Sequence, residues 1–511
     1  MKLSHYLNNK KNKTHLLLII LATLFFTGCK KDFLDDPKPT DKVSTVDVFA
    51  SPDGVRAFFN GLYRNFRLQW QSLDGSAGGN DDTYSFVSLN AARTAKGKDI
   101  VMAFPSFYYF DYQNDNREPT YRRVLFTWEF LYENINQLNI LLNGVEGSPT
   151  INADDKKTLS AEGRALRAWL YFELIREFQH PVTKDPNAPG IPIYTDPTSI
   201  ENKGKPRGTV AQTYELINSD IEFAVQNIGA ARSLKSQVHS NVAWGMAARI
   251  YLEQARWADA KDAAQKARRG LQLDAAGYTS NYNDLNSPEV IWGFPQTTGN
   301  GGQSLYYGTL SSFFEQTGDG YDGFYISEEL VSSFTLTDIR NTFFEYNVPG
   351  TPDNFATNKF GIDHADFEVT LLNGQTVKQK TINFDESIMM MRVGEMYLVE
   401  AEAKARLGEA DAADILYALQ VNRDPAAVRS GNTGAALITE ILLERRKELY
   451  GELGIDWLDA KRLQLSIDRS DSNHEAPNNY IIPANDPRMI LKIPQKEIDS
   501  NDFINPGDQN Q

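Results

Sequence analysis

A mostly helical fold, tetratricopeptide-like helix pairs interrupted by long irregular insertions with a little β structure, is predicted by three features of the chain. Apolar and small side chains recur every three or four residues over long stretches. Paired stretches combine several alanines with one large aromatic across a very short turn, as in Ala247, Ala248 and Tyr251 followed by Trp257, Ala260 and Ala263. Two other segments, about 71–119 and 271–387, lack helical spacing and gather Gly, Asn, Asp and aromatic residues instead.

The chain opens with Lys2, Lys10, Lys11 and Lys13, then an apolar run from Leu16 to Phe26, then Thr27-Gly28-Cys29. A basic start, a short apolar run and a small-residue exit make a secretory signal. Cys29 is the only cysteine, and its place resembles the lipidated cysteine of bacterial lipoproteins, with Phe26 where a leucine is usual. A plain membrane anchor is the alternative, but the run is short of the roughly 20 residues a spanning helix needs. Residues 1–28 are therefore expected to be a lipoprotein signal, and 29–48 a lipidated tether. Pro37, Pro39, Asp32, Asp35 and Asp36 predict an extended tether, and the acids resemble the export tags of Bacteroidetes surface lipoproteins. A solvated linker explains the same acids.

Formal net charge is −15, and four lysines lie in the leader, so the remainder is more acidic still. Such a surface repels phosphate backbones and anionic headgroups, which argues against nucleic-acid binding and leaves membrane contact to the lipid. With one cysteine there is no intramolecular disulfide, and stability falls to a large core.

Residues 49–511 read as one domain. Ser51 caps and Pro52 opens a helix whose Val55, Phe58, Phe59, Leu62, Tyr63 and Phe66 share a face. Residues 71–119 follow without sustained helix, including Gly78, Gly79 and the run Phe107 to Phe110. Helices are predicted at 120–146 and 154–178, then after a Pro-rich connector at 209–228, opened by Thr209. The alanine-rich pair spans 242–254 and 257–269, and a second pair spans 389–407 and 411–420 across Gly408. The helix-pair scaffold thus occupies about 121–270 and 388–470. Within the second insertion the spacing predicts a short helix at 327–334, a hairpin at 369–378 turning on Asn373-Gly374, and a core strand at Trp292.

Five stretches resemble the SusD/RagB family of Bacteroidetes outer-membrane nutrient-binding lipoproteins. They are Cys29-Lys30-Lys31-Asp32-Phe33-Leu34; Ala161 through Phe178; Arg392 through Leu407; Leu443 to Leu449 with Gly454, Trp457, Asp459, Lys461 and Arg462; and Ile493-Pro494 through Asn505-Pro506-Gly507. Asp424-Pro425 departs from the family pattern, which continues with a basic residue. The resemblance implies a helix-pair backing whose long loops shape a ligand surface. It also implies a lipid-anchored protein on the outer membrane, facing the exterior. Such proteins capture glycans or other nutrients as a lid on a SusC-like TonB-dependent transporter.

The candidate chemistry favours binding over catalysis. The charged block from Glu444 to Arg462 is read as ion pairs locking helices, since catalytic carboxylates need particular environments rather than density. Gly318, Gly320 and Gly323 match a dinucleotide loop by letter, but no strand precedes them and Asp319 and Asp322 would repel a pyrophosphate. No paired-cysteine or His-Glu-x-x-His motif occurs, Asp363, His364 and Asp366 fit a surface loop, and Asp111 to Asp115 lacks the calcium-loop glycine. No cofactor or metal is predicted. A sugar ring packs its C–H face on an aromatic while its hydroxyls need amides and carboxylates. Asn80, Asp81, Asp82, Tyr84, Tyr108 and Tyr109 supply both kinds in the first irregular segment, and Tyr306, Tyr307 and Tyr321 contribute from the second. For any single aromatic among them, burial under a loop is the alternative. The predicted function is non-enzymatic glycan capture; a helical-repeat assembly scaffold and a surface glycoside hydrolase are the competing readings.

Overall fold

Ser51 and Pro52 start the first long helix as their chemistry dictates. In the computed structural model Ser51 Oγ accepts the Gly54 N–H at 3.2 Å, and α1 (Pro52–Asn65) buries Val55, Phe59, Leu62 and Tyr63. The structure describes residues 45–72, 75, 78–102, 105–199, 201–230, 234–280, 282–296, 308–314, 323–345, 355–360, 367–370, 376–379 and 387–511. The chain divides into two units, Met1–Val48 and Phe49–Gln511. In the first, the end of the expected extended tether is instead a helical turn, Thr45–Val48. Cys29 and the leader lie outside the described residues.

One helix contradicts the expectation of an irregular 71–119. It is α2 (Ser85–Lys96), and every one of its residues is buried, including Ser85, Ser88, Asn90, Arg93, Thr94 and Lys96. A helix enclosed on all sides needs no polar face, so it carries no amphipathic periodicity to read. Neighbouring elements supply partners for its central charge: Arg93 donates to Glu173 and Glu177, each at 2.6 Å.

The scaffold helices fall close to their predicted bounds. They are α3 (Arg122–Gly147), α4 (Ala153–Phe178), α5 (Val210–Asn227), α6 (Ser240–Glu253) and α7 (Trp257–Ala267). After the second insertion come α8 (Val393–Leu407), α9 (Ala412–Arg423), α10 (Gly434–Leu449) and α11 (Ile455–Arg462). Consecutive helices pack as antiparallel-type pairs, α3 on α4, α4 on α5, α6 on α7 and α8 on α9, while α7 also meets α8 across the insertion. Ala247, Ala248, Ala260, Ala263, Ala264 and Ala267 are all buried, which lets backbones approach closely. Thr209 caps α5 with a reciprocal capping box through Gln212. Thr209→Ala should therefore lower unfolding free energy by about 1 kcal/mol in urea titration, and Thr209→Gly by only a few tenths.

The start of the predicted 389–407 helix is corrected. Met389 to Arg392 belong to β2 (Ile388–Arg392), which pairs antiparallel with β1 (Val290–Phe294). Trp292 in β1 is fully buried and lies 4.7 Å from Trp169 of α4, which in turn stacks on Phe86 of α2 at 4.2 Å. This aromatic cluster ties the second insertion to the scaffold. The predicted hairpin is present as Phe367–Thr370 paired with Thr376–Gln379, its turn lying outside the described residues. The short helix Glu328–Val331 starts at Ser327, whose Oγ accepts the Leu330 N–H.

The charged block of α10 and α11 is a set of interhelical ion pairs. Asp459 accepts from Arg445 at 2.9 Å and from Arg462 at 2.7 Å, and Arg462 also reaches Glu402 of α8 at 2.6 Å. Gly454 stands at the α11 N-terminus with φ +68°, where a Cβ would come within 2.3 Å of Arg93. Only glycine lets α11 cross α2 this closely.

Candidate functional site

The two irregular segments, separated by some 150 residues of scaffold, are joined in space. Ile100–Met102 of the first pairs antiparallel with Phe324–Ile326 of the second. Tyr108 packs edge-on against Phe313 at 5.1 Å and Phe324 at 5.7 Å. The ring of Tyr84 lies so close to Gly308 that a Cβ there would meet it at 2.7 Å.

The first wall of the surface is the turn before α2. Gly78 has φ +102°, and a Cβ on it would strike the Trp70 backbone at 2.5 Å, so this close approach requires glycine. The Trp70 N–H donates to Thr83 O at 2.7 Å, and the Gly79 N–H donates back to Trp70 O at 3.0 Å. Trp70 Nε1 donates to Glu133 of α3 at 2.9 Å.

Two arginines at the start of α3 organise the acids. Asp82 accepts from Arg122 Nε at 2.9 Å, and its backbone carbonyl accepts from Arg123 at 3.0 Å. Arg123 Nε also donates to Asp111 at 3.1 Å, and Asn116 donates to the same carboxylate at 3.0 Å. Both of these bonds fall on Oδ2 of Asp111. Asp81 is half-buried; desolvation, then the neighbouring Asp82 charge, raises its carboxyl above the ordinary range.

The predicted ligand residues divide by exposure. Asp82, Tyr84 and Tyr108 are buried, the alternative left open for single aromatics, with Tyr108 O–H donating to Ser88 Oγ at 2.9 Å. Asn80, Asp81 and Tyr109 keep accessible surface, Tyr109 O–H accepting from Asn478 Nδ2 at 3.1 Å. Tyr306, Tyr307 and Tyr321 lie outside the described residues, although described neighbours Gly308 and Gly323 flank them.

Three exposed aromatics were not singled out as ligand residues: Phe107 at 37%, Phe110 at 56% and Tyr121 at 40%. The Arg122 guanidinium sits 5.2 Å from the centre of the Phe107 ring, linking that ring to the Asp82 side of the turn. A signal was available, because four consecutive aromatics in one helical turn point all round and cannot all enter one core. The arrangement offers apolar rings beside an amide and a carboxylate, the pairing a saccharide requires. Among the described residues no group of three or more His, Cys, Asp or Glu is placed to hold a metal ion. Also among them, no helix is long and apolar enough to cross a membrane.

Two family models match the chain. One, described as starch-binding associating with outer membrane, covers residues 78–252, and the other, the SusD family, covers residues 354–510. SusD-like protein P38 of Formosa agariphila is 25% identical over 406 residues, 70% of this chain and 76% of the relative. A SusD-like carbohydrate binding protein from Bacteroides vulgatus ATCC 8482 superposes with a TM-score of 0.76 at 22% identity, over 90% of this chain and 98% of the other. A laminarin-binding SusD-like protein gives 0.64 at 21% identity, over 89% and 99%. At such identities the solved structures establish a shared fold.

Proposed function

This chain belongs to the SusD/RagB family, and we propose on that basis that it is a glycan-binding protein of the outer-membrane surface. In this reading Cys29 carries the lipid anchor, and the protein delivers captured oligosaccharide to a SusC-like TonB-dependent transporter without chemical turnover. The observation that carries it is the union of the two irregular segments through the pairing of Ile100–Met102 with Phe324–Ile326. In this reading Asn80, Asp81, Phe107 and Tyr109 of the first segment meet the ligand, and Tyr306, Tyr307 and Tyr321 of the second would add to them. The carbohydrate named for one structural neighbour, laminarin, and the starch of the first family description set the first ligands to try.

Isothermal titration of the protein against starch- and laminarin-derived oligosaccharides should show saturable binding, with no new reducing ends on prolonged incubation. Phe107→Ala should weaken that binding roughly tenfold, about 1.4 kcal/mol, with thermal unfolding followed in parallel to separate a lost contact from lost packing. New reducing ends would replace capture by hydrolysis. Silence across a broad glycan panel, alongside tight binding to the transporter, would favour the assembly scaffold.

A further inference from the structure

Helix α3 carries a second aromatic and polar stripe that the surface above leaves unused. Trp128, Tyr132 and Asn136 follow at four-residue intervals and so lie along one face. That face lines a cleft of about 510 Å³ whose other walls are residues 194–204 and the C-terminal helical turn Gln495–Ser500 with Asn501. The volume falls within the range of small-molecule sites, roughly 300–1,000 Å³. None of its lining residues belongs to the 78–121 surface.

The walls are remote in sequence but locked together. Tyr132 O–H donates to Pro192 O at 2.7 Å, and Asn136 Oδ1 accepts the Thr198 N–H at 2.8 Å. Trp128 Nε1 donates to Glu497 at 3.3 Å, and Asn501 Nδ2 donates to Lys205 O at 2.9 Å and to Glu497 at 2.7 Å. Gly204, with φ +84°, lies where a Cβ would fall 2.2 Å from Asn501 Oδ1. The rings form a continuous step, Trp128 to Tyr132 at 4.8 Å and Tyr132 to Tyr194 edge-on at 5.8 Å. Such preorganisation lowers the ordering cost of binding.

Charge selects the ligand class. Glu129, Glu133 and Glu497 line the cleft and disfavour phosphates and other anions. Lys203 and Lys496 oppose a cation, and Lys496 is paired with Glu129 at 2.8 Å. After these bonds are counted, the Glu497 carboxylate and the amide oxygens keep spare lone pairs for hydroxyls, while both N–H groups of Asn501 are taken by Lys205 O and Glu497. Burial raises the Glu497 carboxyl above the ordinary range, against the hydrogen bonds from Asn501 and Trp128.

We infer that this cleft is a second saccharide site, taking one or two neutral pyranose units against the Trp128–Tyr132–Tyr194 step, with Asn136, Glu497 and Asn501 meeting the hydroxyls. The choice of ligand rests on the proposed glycan-binding role; the location does not. The test uses saturation-transfer NMR on the whole protein with maltose, laminaribiose and cellobiose as probes. At least one probe should give a saturable signal that persists in Phe107→Ala and falls tenfold or more in Tyr194→Ala. Should Tyr194→Ala unfold, Asn202→Trp on the exposed 194–204 loop blocks the cleft without removing a packed ring and should abolish the same signal. Signals lost only in Phe107→Ala, or unchanged by both cleft variants, overturn the second site and leave the primary reading standing. No signal from any probe overturns the second site, while titration with the longer oligosaccharides judges the primary reading separately.

Discussion

Glu448→Ala is expected to lower unfolding free energy by about 3–5 kcal/mol, because it strips the shared anion from three buried guanidinium groups. Glu448 on α10 is fully enclosed and accepts from Arg423 at 2.9 Å, Arg392 at 2.9 Å and Arg340 at 3.1 Å. Those arginines come from the end of α9, the end of β2 and the helical turn Ile339–Phe343, so one carboxylate ties scaffold to insertion. Glu289 shares Arg392 and Arg423, and Glu452 takes Arg392 at 2.6 Å, but neither can occupy the space Glu448 leaves. Burial alone would raise the Glu448 carboxyl; Arg423, Arg392 and Arg340 outweigh it and hold the group well below the ordinary carboxylate range. The sign follows from that depression. Its stabilisation is complete above the unfolded-state value of 4.5 and is lost as pH falls below it. Glu448→Gln, which keeps the volume and part of the hydrogen bonding, should cost less than the alanine. Urea denaturation at pH 7 reads both, and a loss below about 1 kcal/mol for the alanine would show that the arginines find other anions.

Asp456→Asn should do the reverse and stabilise the protein at alkaline pH. The Asp456 carboxylate accepts the backbone N–H of Lys98 at 2.6 Å and of Asp99 at 3.0 Å, and it packs against Gly97. Desolvation and then the charge of Asp99 push it up to about 7, against the pull of those N–H groups and Arg446. A folded-state value above the unfolded 3.8 means the native state holds its proton longer, and stability falls as pH rises from about 4 to about 7. Three units at about 1.4 kcal/mol each, discounted because the residue is only half-buried, leave about 2–4 kcal/mol. The asparagine should therefore match the wild type near pH 4 and exceed it by that amount at pH 8 in denaturant titrations. Equal pH slopes for the two proteins between pH 5 and 8 would refute the assignment. An acid limb should survive in the variant. Burial, with the Arg469 charge, lowers His474 to about 4, so its neutral form is favoured and stability drops as pH falls from about 6.5 toward 4. His474 Nδ1 lies 2.6 Å from Tyr112 O–H and Nε2 lies 3.0 Å from Lys98 O, an arrangement one ring proton satisfies.

Where a residue's fate depends on its sequence neighbours, it was legible. Ser51 and Thr209 cap helices because their hydroxyls reach an N–H three residues on, and the alanine-rich pairs follow from a spacing that survives in any context. Where the fate depends on distant partners, it was not. Ser85 to Lys96 reads as irregular because burial on every side erases the polar stripe, and Met389 to Arg392 reads as helix until β1 supplies a pairing edge. At the candidate site the sequence located the first segment but not the division within it between buried Tyr84 and Tyr108 and exposed Phe107 and Phe110.

By itself, then, the amino-acid order determined the family, the helical scaffold and the two segments that interrupt it, because periodicity, capping and charge act over a few residues. Only tertiary structure decided that those segments meet, that Arg123 consumes Asp111, and that α3 faces a cleft closed by the C-terminal turn. Contacts between residues hundreds of positions apart leave no local pattern, since either partner alone is compatible with many neighbours.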